Sequence, residues 1–245
     1  GDDDEGQCNV DGNACASWSW KETADAGFDI VLYTGNGTGG RTVSHSLSAV
    51  PKMIIVKGRS ASGQWTIQHA SLGATHYIEL QTTAAADFST TIWNDTAPTS
   101  SVFSVGTNQR TNLDTKTYVA YVFAEKQGYN KFSSYTGNGN VDGTFVYTGF
   151  KPAFIIIKKS SNAGNNWYMW DNKRNTSNLS NTYLNPDLAS AEGTENYGYI
   201  DILSNGFKTR SVANDEINQS GHTFIYMAFA ENPFVTSTGV PTTAR

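Results

Sequence analysis

The residues whose types and spacing could do chemistry fall into five groups. GNGTGG (35–40) matches the dinucleotide fingerprint G-x-G-x-x-G and follows the strand-like DIVLY (29–33). That fingerprint holds a pyrophosphate only where a helix N-terminus follows it. Here RTVSHSL (41–47) follows, a strand-like run, so the glycines read as a hairpin turn. The histidines His45, His69, His76 and His222 form no HExxH pair. His69 and His76 have the spacing to meet across a hairpin and hold a metal, but surface or loop histidines are the commoner use. The carboxylates Glu79, Asp87, Asp95 and Asp171 lie near aromatics and would suit glycoside hydrolysis if two of them stood at the right separation. Nothing in the spacing sets that separation, and solvated acids are the plain reading. Cys8 and Cys15 stand alone in CNVDGNAC. Zinc would need further Cys or His partners at short spacing, and none follow. A local disulfide is expected, with two free thiols as the alternative. Lastly, Trp93 and Trp170 have no counterpart elsewhere in the chain, which leaves them free for a surface role such as stacking on a sugar.

Two weaker motifs add nothing. GRSAS (58–62) lacks the second glycine of a nucleophile elbow. The acidic start GDDDE with Asp11 lacks the ligand order of a calcium loop. No catalytic residue, metal or organic cofactor is therefore expected.

The elements that would position these residues are written twice. YTGNG (33–37) recurs at 135–139, an offset of 102. PKMIIVK (51–57) recurs as PAFIIIK (152–158), an offset of 101. Trp65 matches Trp167, again 102, so both are expected in the core. YVAYVFAE (118–125) matches FIYMAFAE (224–231), an offset of 106. The blocks are short and rich in Val, Ile, Tyr, Phe and Trp, which favour strands. MIIV and FIII are continuous apolar runs, the mark of strands covered on both faces. YIEL (77–80) and YIDI (199–202) alternate, the mark of a strand with one wet face. Asn-Gly at 36–37, 138–139 and 205–206 signals hairpins. No helical period lasts three turns; residues 83–86 are the best helical candidate and are too short to matter.

The expected fold is all-β, with two tandem sandwich or jelly-roll-like repeats over 28–131 and 132–234. One large sandwich formed by both copies is the alternative. Residues 1–27 read as an acidic leader whose Trp18 and Trp20 pin it to the first repeat, and 235–245 as an extended tail.

Charged residues make up 16% of the 245, against roughly 25% in ordinary soluble domains. The net charge is −5 and no basic patch is visible, which speaks against nucleic acid as a partner. No apolar run approaches the ~20 residues of a membrane helix, so no membrane insertion is expected. No basic n-region with an apolar core opens the chain, and residue 1 is Gly, so a processed product or a fragment is expected.

GFDIVLYTGNG (27–37), HSLSAVPKMIIVK (45–57), YVAYVFAE, SSYTGNG (133–139), TGFKPAFIIIKK (148–159), SNGFK (204–208) and YMAFAENPF (226–234) together resemble a β-rich domain of unknown function. That domain is common in structural proteins of marine bacteriophages, especially tail-fibre and virion-surface proteins. The resemblance runs from about Gly27 nearly to the end and leaves the leader outside; PFVTSTGVPTTAR is similar to the natural C-terminus of such proteins. It implies a non-enzymatic virion part at the particle surface that contributes to host attachment. It also implies a homo-oligomer, a trimer by the habit of phage fibres, with other virion proteins and a host-surface glycan as partners. A glycan-binding adhesin or a secreted filament subunit is the alternative, and a polysaccharide depolymerase a more distant one.

Overall fold

The apolar blocks become strands because their β-branched and aromatic side chains alternate between two surfaces that are both covered. The computed structural model describes residues 16–60, 63–194, 198–210 and 216–233, so Cys8, Cys15 and the tail lie outside the described residues. The first half contains β1 (Phe28–Thr34), β2 (Arg41–Ser44), β3 (Pro51–Gly58), β4 (Trp65–His69), β5 (His76–Glu79), β6 (Asp87–Phe88), β7 (Val102–Val105) and β8 (Thr117–Ala124). A short α-helix, α1 (Gln109–Asn112), precedes β8. The second half contains β9 (Asn130–Thr136), β10 (Phe145–Tyr147), β11 (Pro152–Lys159), β12 (Trp167–Asp171), β13 (Ile200–Leu203), β14 (Gly206–Thr209) and β15 (Thr223–Ala230).

Each half has one large and one small antiparallel sheet. The large sheets run β1-β8-β3-β4-β5-β6 and β9-β15-β11-β12; the small ones are β2-β7 and β10-β14-β13. The first four strands of the large sheets have the same order in both halves. β3 and β11 are each inserted between a hairpin partner and the returning last strand, and each has a register shift near its proline.

Three cores hold the layers. One lies between the first large sheet and β2-β7, with Ile54, Val56, Val43, Phe103 and Trp93. A second lies between the other large sheet and β10-β14-β13, with Ile155, Ile157, Phe207, Ile200 and Trp170. The third joins the two large sheets to each other through Phe28, Met53, Ile67, Phe123, Phe132, Phe154, Met227 and Phe229. The layers therefore stack small, large, large, small. The fold is all-β and sandwich-like, with each large sheet packed against a small one and the two large sheets packed on each other. The runs MIIV and FIII follow from this, since alternate residues enter the half's own core and the shared one.

Three expectations are corrected. YTGNG does not close a hairpin. It is followed by a strand of the small sheet, so residues 35–40 carry the chain from one layer to the next. Gly37 and Gly139, at φ 65° and 66°, supply the left-handed turn that this corner needs. At Asn205-Gly206 a hairpin does form, but Leu203 pairs with Gly206, so the turn is Ser204-Asn205. The leader's Trp18 and Trp20 pack against the core that the halves share, and their ring contacts are with the second half: Trp18 lies 5.7 Å from Phe154, and Trp20 lies 5.4 Å from Phe154 and 5.5 Å from Phe229.

Candidate functional site

The repeated YTGNG motif is explained by the corner it makes. The buried Tyr33 hydroxyl donates to the Thr111 carbonyl at 2.7 Å, and Tyr135 to that of Ile217 at 2.6 Å. Burial raises both phenol pKa values, so both remain donors. A Cβ on Gly35 would stand 2.1 Å from the Leu113 carbonyl oxygen, and one on Gly137 2.3 Å from that of Gln219. Only glycine permits that approach. The remaining polar groups of the corner meet a buried asparagine. Asn112 donates to Asn36 Oδ1 (3.1 Å), Thr38 O (2.9 Å) and Gly106 O (2.7 Å), and accepts from Asn36 N (2.9 Å). Asn218 repeats this, donating to Asn138 Oδ1 (2.9 Å) and Asn140 O (2.8 Å) and accepting from Asn138 N (3.1 Å). The glycine-rich loop is thus saturated from within. Sequence reading missed Asn112 and Asn218; their common offset of 106, matching that of the FAE block, was the available signal.

Glu79, Asp87 and Asp171 are each held by a neighbour, and Glu79 and Asp87 both lie near Tyr77. Glu79 Oε1 accepts from Arg110 Nε at 2.9 Å, and Asp87 from the Tyr77 hydroxyl at 3.1 Å. Asp171 Oδ1 accepts from the backbone N–H groups of Lys173 and Arg174, both at 2.9 Å, while Oδ2 pairs with Arg174 Nε at 3.0 Å. Asp95 sits exposed in a left-handed turn at φ 48°.

Each of the two histidines His69 and His76 has hydrogen-bond partners of its own. His76 Nδ1 bonds the Thr75 hydroxyl at 2.9 Å and its ring meets Phe88. His69 is buried and occupies the position of Asp171 in the repeat. Its Nδ1 accepts from Ser71 N at 3.2 Å, which sets Nε2 as the protonated nitrogen. Nε2–H then donates across to the Tyr226 carbonyl of the other half at 3.2 Å. Burial lowers the His69 pKa from 6.5 to about 4, against a smaller upward pull from the Tyr226 carbonyl.

A cluster not anticipated from sequence surrounds Lys158, at the end of FIIIK. Lys158 Nζ donates to the carbonyls of Asn165 and, at 3.4 Å, Thr82 of the first half. Its pKa falls to about 8, chiefly by desolvation, with Asp187 and Glu216 opposing. Asn165 donates to Glu216 Oε2 at 2.9 Å, and Asp187 Oδ1 accepts from Trp167 N at 3.1 Å. Asp187 Oδ2 is buried without a partner, and desolvation raises the Asp187 pKa. Perturbed groups of this kind mark catalytic sites when they line a cleft. Here the lysine is fully buried and bonds the first half to the β11–β12 hairpin.

Trp93 and Trp170 are corrected: they are 1% and 0% exposed, inside the two sandwich cores. Their lack of a counterpart reflects different fillings of equivalent cores, so neither offers a face to a sugar. Trp167 is buried as expected, whereas Trp65 is only half-buried. Tyr147 is an open aromatic, 63% exposed, at a cavity of about 340 Å³ that Glu125, Gln127, Asn130 and Lys131 also line. Glu125 and Lys131 pair there at 2.8 Å.

A family model described as a domain of unknown function (DUF7483) matches residues 1–233. The match includes the leader, which the resemblance noted from sequence had left out. No curated protein and no solved structure matches.

Proposed function

The chain belongs to the DUF7483 family, a domain of unknown function, and from that premise we propose that it is a structural protein of a bacteriophage virion. In this reading it is a tail-fibre or virion-surface component that contributes to host attachment as a homo-oligomer, and it performs no chemistry. The observation that supports this best is the use made of its polar motifs. The duplicated YTGNG corners are clasped by Asn112 and Asn218, while His69 and Lys158 bond one half of the chain to the other. A body tied through four layers suits a rigid particle part. Few charges on its surface let copies meet without stranding ions, at a cost of several kcal/mol per unpaired ion. The experiment is quantitative peptide analysis of gradient-purified particles. A fixed, multiple copy number per particle is expected; recovery only in the particle-free fraction would end the proposal.

A second reading, a glycan-binding adhesin, has one observation in its favour. Tyr147 presents an open ring beside a carboxylate, an ammonium and two amides, the mixture that stacks on and hydrogen-bonds a sugar. Saturable binding to host-surface polysaccharide that Tyr147→Ala abolishes would support it, and binding indifferent to that change would remove it.

A further inference from the structure

The strand registers place the shared face of the first large sheet on a grid of three rows. The first row runs Phe28–Phe123–Met53–His69, the second Ile30–Tyr121–Ile55–Ile67, and the third Leu32–Val119–Lys57–Trp65. The first row is buried throughout under the second half. In the second row Ile30 is 38% exposed, and in the third Leu32 reaches 62% while Val119, Lys57 and Trp65 are half-buried. The covering sheet thus reaches only part of this face.

The other half shows what the third row looks like when it is covered. Its counterpart is Ser134–Ile225–Lys158–Trp167, of which Ile225, Lys158 and Trp167 are buried. The end of β5 and the segment after it close over it: Trp167 Nε1 donates to Glu79 O at 2.9 Å, and Gly164 N to Thr83 O at 2.9 Å. At the outer position the second half carries Ser134, a side chain suited to water, where the first carries Leu32.

We infer that the uncovered row Leu32–Val119–Lys57–Trp65, with Ile30 and Tyr121, is the contact through which two copies of this chain pack face to face about a two-fold axis. This rests on the homo-oligomeric reading above, replaces the expected three-fold arrangement with a two-fold one, and adds the surface that reading lacks. The patch is continuous with the core that already joins two like sheets in one chain, so a sheet face of this chemistry is what it accepts. Lys57 is its one permanent charge, held over the Trp65 ring at 5.7 Å, so a self-contact sets few like charges together despite the net charge of −5. The contact uses side chains, not strand pairing. On the β1 edge Thr23 bonds Phe28 in both directions, Glu22 accepts from Ile30 N, and Arg41 donates to Thr34 O.

The test is light scattering on the full chain across micromolar concentrations. The wild type is expected as a pair or a multiple of pairs. Leu32→Lys should raise the dissociation constant by two orders of magnitude or more, with the circular dichroism spectrum unchanged because Leu32 supports no intramolecular core. Leu188→Lys, equally an exposed leucine but off the patch, should leave assembly intact. Ile30→Gln serves as the second variant should Leu32→Lys disturb the fold. An oligomer that survives both patch variants would overturn this surface alone and leave the oligomeric reading standing. A wild-type monomer at every concentration would overturn both.

Discussion

Protonating His69 should loosen the joint between the halves, and the size of the effect follows from its burial. In the folded chain the neutral ring is favoured, with a pKa of about 4 against 6.5 in the unfolded chain. A base whose folded pKa is depressed contributes stability that is complete above its unfolded pKa. That stability is lost as pH falls from there toward the folded value. The 2.5-unit difference corresponds to about 3 kcal/mol at full protonation. Evaluated at pH 5 it is about 2 kcal/mol, or roughly 4–8 °C in Tm for a chain of this length. The carboxylates of the chain also titrate in this range, so the informative quantity is a difference of slopes. His69→Gln keeps a donor for the Tyr226 carbonyl and removes the titration. Urea unfolding at pH 7.5, 6, 5 and 4.5 should show the variant less stable than wild type at pH 7.5 and losing about 2 kcal/mol less by pH 5. Parallel pH profiles for the two proteins, or an NMR titration of His69 near its ordinary midpoint, would refute the reasoning.

The remaining predictions concern the corners and the buried lysine. Asn112→Ala and Asn218→Ala should each cost about 2–4 kcal/mol in urea unfolding, because each strands several buried backbone groups at once; a loss in one half only would break the equivalence of the clasps. Gly35→Ala and Gly137→Ala should each cost more than about 2 kcal/mol or prevent folding, whereas Gly63→Ala, with open space at its Cβ, should stay within about 0.5 kcal/mol. Lys158→Met should cost about 3–5 kcal/mol by leaving Asp187 and Glu216 without their cation, while Lys57→Met at the matching place should cost about 1 kcal/mol or less; equal costs would deny the cluster its role.

Much of the fold was legible because strands have a short period and the repeat doubled the signal. MIIV and FIII announced strands covered twice, and both cover layers exist. The corners misread as hairpins show the limit. Asn36-Gly37 states that the chain turns, not whether the next strand pairs beside the last or crosses to another layer, which depends on the distant Asn112. Trp93 and Trp170 misled for a related reason. Absence from the repeat says that two cores are filled differently, and only the packing says that both are cores. Lys158 was hidden because a lysine closing an apolar run looks like a strand end at water. Its neighbours Thr82, Asn165, Asp187 and Glu216 are scattered over more than a hundred residues.

The central claim, a multi-copy structural part at a particle surface, is tested most directly by electron microscopy of intact particles of a phage that encodes this chain, labelled with a gold-tagged antibody raised against it. The account predicts label at fixed positions on the tail or capsid exterior, in constant number per particle. Particles that remain unlabelled while the label collects on soluble protein from lysed cells would contradict it.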